Sequence, residues 1–172
     1  MTDRRVSMVI AAGVAVAVGL LAVRHRYLVI TVNGASMRPA FTDGDRVLVR
    51  RATIRLPARG DVVVLRTPPS RAGWNGSPSS TSPARRGWSI KRVVAVPGDP
   101  LPEAAVDACG RPAGTPVPAG RLVVFGDALD SYDSRTWGFL PAEHLVGVVT
   151  RRLTSRAPNP ISPAGSDRVV IR

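Results

Sequence analysis

A serine stands in a turn-forming segment near the amino end of the chain. Ser36 follows a Val- and Ile-rich run, and Gly34 lies two residues before it. A serine in such a turn can act as a nucleophile, and the neighbouring backbone N–H groups can converge on one point, as an oxyanion hole requires. The segment does not match the G-x-S-x-G elbow, because Arg38 occupies the final glycine position. An ordinary turn serine is the alternative that this segment alone leaves open.

Lysine occurs once in a chain that otherwise uses arginine. Of the 24 basic residues, 23 are Arg and the exception is Lys91. In an extended strand its side chain shares a face with Val93 and Ala95, opposite Ile90 and Arg92. An ammonium on an apolar face loses hydration, which lowers its pKa, and the neutral amine can then act as a base; a guanidinium stays protonated. A solvent-exposed lysine on an edge strand is the alternative.

Aspartate and serine crowd a third segment, residues 126–138. It contains Asp127 and Asp133, and Arg135 can form a bidentate pair with a carboxylate. Carboxylate clusters can hold metal ions, but these stand among hydroxyls and an arginine, and a salt-bridged turn explains them equally well. The single cysteine, Cys109, excludes an intrachain disulfide, and a structural zinc site is not expected from one Cys and two His. We therefore predict no metal and no cofactor.

Short apolar runs must position these three segments. Each run is bounded by Gly, Pro, Asp or Asn, as strands are, and they cover residues 27–32, 46–50, 61–66, 88–96, 121–125 and 145–149. No segment after residue 24 has a sustained helical period, and 16 Gly and 16 Pro disfavour a helix bundle. These features predict a mainly β domain over residues 27–155, with a flexible Pro/Ser/Gly loop at 67–87. Residues 156–172 are predicted to form a loose tail whose final Val-Val-Ile could add an edge strand.

An uncharged apolar block occupies residues 6–23. Eighteen helical residues at about 1.5 Å each span roughly 27 Å, close to the hydrocarbon thickness of a bilayer. The block is long for a signal peptide, no small-residue cleavage site follows it, and it lacks the polar face of a core helix. We predict that residues 1–26 form a cytoplasmic tip and one uncleaved N-terminal transmembrane helix. Arginines on both flanks leave its orientation undecided by the positive-inside rule.

The chain carries a formal net charge of +12. Its basic residues are scattered and only 5% of residues are aromatic, so no basic stripe interleaved with stacking rings marks a nucleic-acid binder. An arginine-rich solvated surface or an anionic membrane surface fits this pattern better. We therefore expect membrane lipid, and no nucleic acid, among the partners.

Together the three segments resemble bacterial type I signal peptidases, which are membrane-bound serine peptidases with a Ser/Lys dyad. The resemblance covers the apolar block and most of residues 28–150, and its motifs are specific as a set. They are Ser-Met-x-Pro from Ser36, Lys-Arg-Val-Val from Lys91, Pro-Gly-Asp from Pro97, Gly-Asp from Gly126 and Ser-x-Asp-Ser-Arg-x-x-Gly from Ser131.

The resemblance implies a role for each chemically active residue. Ser36 is the nucleophile, Lys91 is the general base, and Ser131 is a hydroxyl that positions the lysine amine. The backbone N–H of Ser36 is the expected oxyanion donor, because Gly34 has no side chain to contribute. His144 follows an acidic residue in a turn, and a Ser/His/Asp triad is the lesser alternative.

The resemblance also implies supporting and substrate-binding residues. Asp127, Asp133 and Arg135 support the site, and Phe41 and Ile90 help to line shallow pockets for small side chains. The family has a largely β catalytic domain on the outer face of the membrane. Its usual role is to cleave exported preproteins after a small-x-small signal, typically Ala-x-Ala.

The chain departs from the family pattern in several places. Ala128 replaces the usual Asn, Ala40 replaces the usual Thr, and the interval from Gly126 to Ser131 is one residue shorter than usual. Only a short Pro-rich stretch occupies residues 100–120. The chain therefore resembles the minimal form, without the large second domain of some relatives.

Three functional hypotheses follow. The first is a general signal peptidase, and the second is a similar protease dedicated to the maturation of one substrate. The third is a catalytically silent, membrane-tethered β module that binds extended peptides by strand addition. The presence of both Ser36 and Lys91 counts against the third. The self-cleaving repressors also use Ser and Lys, but they carry a DNA-binding domain where this chain has an apolar block.

Overall fold

One antiparallel sheet organises the part of the chain that the computed structural model describes, residues 2–52, 56–68, 74, 87–154 and 170–171. Within these residues its eight strands lie in the order β6-β5-β4-β3-β7-β2-β1-β8. Their bounds are β1 Tyr27–Thr31, β2 Arg46–Arg51, β3 Val62–Arg66, β4 Trp88–Ala95, β5 Arg121–Phe125, β6 Leu140–Pro141, β7 Leu145–Thr154 and β8 Val170–Ile171.

All six predicted strands are confirmed, and the predicted mainly β domain with them. The edge strand suggested for the final Val-Val-Ile is also present, because Val170 and Ile171 pair with Thr31 and Ile30 of β1. Two details differ from the prediction. β7 runs on to Thr154 because its polar end still pairs with β2, and the short β6 escapes a pattern search because it has only two residues.

Helices are few in the described part of the chain. They are α1 Thr2–Arg26, α2 Val106–Cys109 and α3 Ser134–Trp137, together with short 3₁₀ turns at Glu103–Ala105 and Ala142–His144. Among the described residues, no helix combines the length and the apolar character needed to cross a membrane.

The core divides into three adjoining clusters along the sheet. The first surrounds Ile30, Met37 and Ile90, and the second surrounds Val63, Val93 and Trp137. In the third, Ala95 and Val123 of the sheet meet Leu101, Ala105 and Val117 from the Pro-rich stretch after β4. That stretch is therefore packed onto the sheet. Most of the loop predicted at 67–87 and most of the tail predicted at 156–172 lie outside the described residues.

Candidate active site

Ser36 lies in the turn that follows β1. Gly34 has φ of +101°, a conformation that a residue with a Cβ rarely adopts, and its N–H donates to Asp43 Oδ1 at 2.9 Å. The neighbouring Met37 is 1% exposed and packs into the first core cluster. Ser36 itself is 9% exposed. The turn is therefore held from both sides, and the serine is fixed at the edge of the core.

Lys91 lies in the interior of the sheet. Strand β4 runs between β3 and β5, and Lys91 pairs with Val63 of β3. The lysine is 1% exposed, as is Val93 on the same face. The solvent-exposed edge-strand alternative is therefore wrong. Removing an ammonium from water disfavours its charged form.

The third segment meets the Ser36 turn at Gly126. The Ala128 N–H donates to the Ser36 carbonyl at 3.0 Å. A Cβ placed on Gly126 would lie 2.6 Å from the same carbonyl oxygen and 2.1 Å from Ser131 Oγ. Ser131 is 9% exposed, and its Oγ has no hydrogen-bond partner among the described residues. The two serines therefore approach each other across a glycine that leaves no room for a side chain.

The shape of the third segment depends on Asp133. This carboxylate is fully buried and accepts the Gly126 N–H at 2.7 Å. Arg135 binds it through two bonds of 2.9 and 2.6 Å, which confirms the predicted bidentate pair and raises the pKa of Arg135. Arg135 also donates to the Ala128 carbonyl at 3.1 Å. Since Ala128 contributes backbone groups to these contacts, its side chain is not needed for them.

Arg92 joins the third segment to the lysine strand. Its Nε and Nη2 donate to Asp127 at 2.8 and 2.6 Å, and this hydrogen bonding raises the pKa of Arg92. Sequence reasoning missed this contact, because the partner of Asp127 depends on the pairing of β4 with β5. The third segment thus bonds to the Ser36 turn on one side and, beside Lys91, to β4 on the other.

The two predicted pocket residues belong to one apolar cluster. Ile90 is 4% exposed, and the partly buried Phe41 packs against the same group of side chains. The guanidinium of Arg152 lies over the Phe41 ring, 4.7 Å from its centroid. Arg152 also pairs with the fully buried Asp45 at 3.2 Å and donates to the Ala40 carbonyl. Sequence reasoning missed Arg152, which ties the chain between Ser36 and β2 to strand β7.

Replacing Arg152 by Ala is expected to lower the free energy of unfolding by about 1–2 kcal/mol, since it removes an ion pair to a buried carboxylate and a cation–π contact. Arg151→Ala is the matched control, because Arg151 is exposed on the same strand, and its effect should stay within about 0.5 kcal/mol. Urea unfolding of both variants measures the difference. Equal effects would contradict the role given to Arg152.

The histidines occupy other positions. His25 is exposed near the end of α1, whereas His144 stacks on the Trp74 indole with 4.0 Å between ring centroids. Burial lowers the pKa of His144; the Glu143 carboxylate opposes this shift, and nearby Arg66 and Arg121 add to it. The stacking contact gives His144 a packing role and lends no support to a Ser/His/Asp triad. No cluster of three or more metal-ligating side chains occurs among the described residues.

The family of the chain follows from its match to a known sequence pattern. Residues 4–103 and 102–154 match the family described as signal peptidase, peptidase S26. The chain therefore belongs to the signal peptidase family and is a hydrolase of the serine peptidase class.

Curated relatives carry names that agree with this assignment. Over 162 residues the chain is 28% identical to a probable signal peptidase I-2 from Synechocystis sp., covering 82% of this chain and 67% of the relative. It is 30% identical over 131 residues to a signal peptidase I from Leptolyngbya laminosa, covering 65% of this chain and 61% of the relative. A probable signal peptidase I-1 from Synechocystis sp. is 31% identical over 132 residues, with coverage of 65% and 63%. The matched part of the chain thus spans 61–67% of the length of these relatives.

Proposed function

We propose that this protein removes signal peptides from exported preproteins, with Ser36 as nucleophile and Lys91 as general base. The observation behind the proposal is the position of Lys91. This buried lysine lies on β4, and the third segment bonds both to β4, through Arg92, and to the Ser36 turn. A lysine 1% exposed in the middle of a sheet is costly to keep charged, so a structural role alone explains it poorly.

In the proposed reaction one residue acts as the base in both acylation and deacylation. Neutral Lys91 takes the proton from Ser36 Oγ, which attacks the scissile carbonyl and forms an acyl-enzyme. Lys91 then returns the proton to the leaving amine and activates the water that releases the acyl group. The Ser36 N–H donates to the developing oxyanion. In this proposal the Ser131 hydroxyl orients the lysine amine, and its burial next to Gly126 supports that role.

The proposed substrate is a preprotein segment with a small-x-small sequence, bound as an extended strand. Phe41 and Ile90 lie in one apolar cluster, and an apolar wall near the nucleophile favours small uncharged side chains. Incubation of the purified protein with a preprotein, followed by mass spectrometry of the products, tests the activity. A Ser36→Ala enzyme is the control. Absence of any cleaved bond would leave the silent peptide-binding module as the better hypothesis.

The side chain before the scissile bond should determine the cleavage rate. Replacing a substrate Ala there by Leu or Phe is expected to reduce kcat/KM by about 10–100-fold, because the larger side chain does not fit a shallow apolar pocket. Two peptides that differ only at this position, each cleaved by the same enzyme, give the ratio. Equal rates would contradict the pocket assignment to Phe41 and Ile90.

Processing of several unrelated preproteins would support a general peptidase, and processing of one would support a dedicated maturation enzyme. The altered Gly-Asp-Ala segment motivates this second hypothesis. Testing a panel of preproteins with different mature regions but the same Ala-x-Ala site separates the two.

We also propose that the apolar block within α1 anchors the protein in the membrane, with the catalytic domain on the outer face. Val14, Val16, Val18, Leu20 and Leu21 are 57–63% exposed, and this surface favours an apolar surrounding over water. The anchor should remain attached to the mature protein. Sequencing the amino terminus of protein isolated from membranes should therefore find a start before residue 6. A start near residue 27, or release from membranes by a high-salt wash, would contradict the anchor.

A further inference from the structure

A cavity of about 430 Å³ opens beside α2 and α3. Its lining includes the aromatic residues Trp74, Trp137 and Phe139, together with Arg111, Arg121 and Cys109. The two indoles meet edge to face with centroids 5.9 Å apart. This volume lies within the range of roughly 300–1,000 Å³ that is typical of small-molecule sites.

The cavity lies at the opposite end of β5 from the candidate active site. Arg121 begins β5, whereas Gly126 follows its last residue, Phe125. Five residues of extended chain separate the two ends by roughly 16 Å. None of the residues proposed for catalysis or substrate binding lines this cavity. It therefore requires a separate explanation.

The charged residues that line the cavity are both basic. Two guanidiniums line it, and no carboxylate is among its described lining residues. The acidic residues nearest in sequence to its lining are Asp107 and Glu143, which are exposed, and Asp133, which is paired with Arg135. The segment 67–87, which carries Trp74, contains no Asp or Glu. Cys109 adds no negative charge at neutral pH, because burial raises the pKa of its thiol to about 11.

We propose that this cavity binds a small organic carboxylate with an apolar group attached. The aromatic rings can enclose the apolar group, while Arg111 and Arg121 can form charge-assisted hydrogen bonds with the carboxylate. An inorganic anion would leave the aromatic walls unused, and a neutral ligand would leave the guanidiniums unpaired. The proposal does not depend on the peptidase function.

Matched probes test both halves of this chemistry. 4-Phenylbutyrate, 4-phenylbutyramide and inorganic phosphate are titrated separately into the full chain in an uncharged detergent, and binding is measured by calorimetry. Saturable one-to-one binding is expected for 4-phenylbutyrate, with the amide and phosphate at least about tenfold weaker. Equal affinity for the amide, equal affinity for phosphate, or no saturable binding of 4-phenylbutyrate would each overturn the proposal.

Variants then locate the bound probe. Arg121→Gln and Arg111→Gln should each weaken 4-phenylbutyrate binding about tenfold, because each loses one charge-assisted contact. Arg59→Gln is the control, since it removes the same charge from an exposed turn before β3 and should leave the affinity unchanged. A circular dichroism melt of each variant checks that it is folded. Unchanged binding in both cavity variants, or equal weakening by Arg59→Gln, would place the probe elsewhere and overturn the site.

Discussion

Replacement of Lys91 by Arg is expected to reduce kcat/KM by about 10²–10⁴-fold, the usual contribution of positioned acid–base catalysis. The positive charge and nearly all of the reach are kept, so a purely electrostatic role should survive the change. A general base should not survive it, because a guanidinium remains protonated at any workable pH. The loss should approach that of Ser36→Ala, which removes the nucleophile itself. Both rates can be measured with one fluorogenic signal-peptide substrate.

A second variant separates chemistry from folding. Lys91 is 1% exposed, and the larger, permanently charged Arg could disturb the sheet around it. Lys91→Met has a similar length and no charge, so it should melt at or above the wild-type temperature and still be inactive. The wild-type rate should rise with pH as Lys91 loses its proton, because only the neutral amine accepts the serine proton. A folded Lys91→Met or Lys91→Arg enzyme with a tenth or more of wild-type activity would remove Lys91 from the mechanism.

Gly126→Ala should reduce kcat/KM about a hundredfold or more. The new Cβ would lie 2.1 Å from Ser131 Oγ and 2.6 Å from the Ser36 carbonyl oxygen, far inside contact distance. The Ser131 hydroxyl can rotate away, but the Ser131 Cβ at 2.4 Å and the Ser36 carbonyl oxygen cannot, so the backbone around Ser36 or Ser131 must move. A displacement of about 1 Å can cost about 10²-fold in rate, because catalysis depends on the alignment of the reacting atoms.

A glycine in open surroundings provides the control. Gly19 lies in α1, and a Cβ there meets no atom within 4 Å, so Gly19→Ala should leave activity unchanged and favour the helix slightly. Wild-type activity in Gly126→Ala would contradict the close approach of the two segments.

The strands were predictable because their signal is local. A short Val- and Leu-rich run bounded by turn residues identifies a strand without reference to the rest of the chain. β7 extends beyond its predicted end, into the part where Arg151 and Arg152 interrupt the apolar pattern. The two-residue β6 could not be predicted, since its existence depends on pairing with Arg121 and Leu122 of a distant segment. Only one of the two arginine–carboxylate pairs in the site could be predicted from the sequence. Arg135 lies two residues from Asp133 in sequence, whereas Arg92 and Asp127 are 35 residues apart.

The sequence by itself determined the family, the strand-rich fold and the side chains proposed to be reactive, because each of these depends on residue types at short spacing. The burial and the contacts of those side chains depend on the tertiary structure alone. The position of β4 between β3 and β5 buries Lys91, and a buried amine differs chemically from the exposed one that the same residues would give on an edge strand. Likewise, the bonds of Asp133 and Arg92 bring Gly126 and Ser131 to the Ser36 turn. The order of strands in the sheet and these long-range contacts arise from packing between distant segments, which no local pattern encodes.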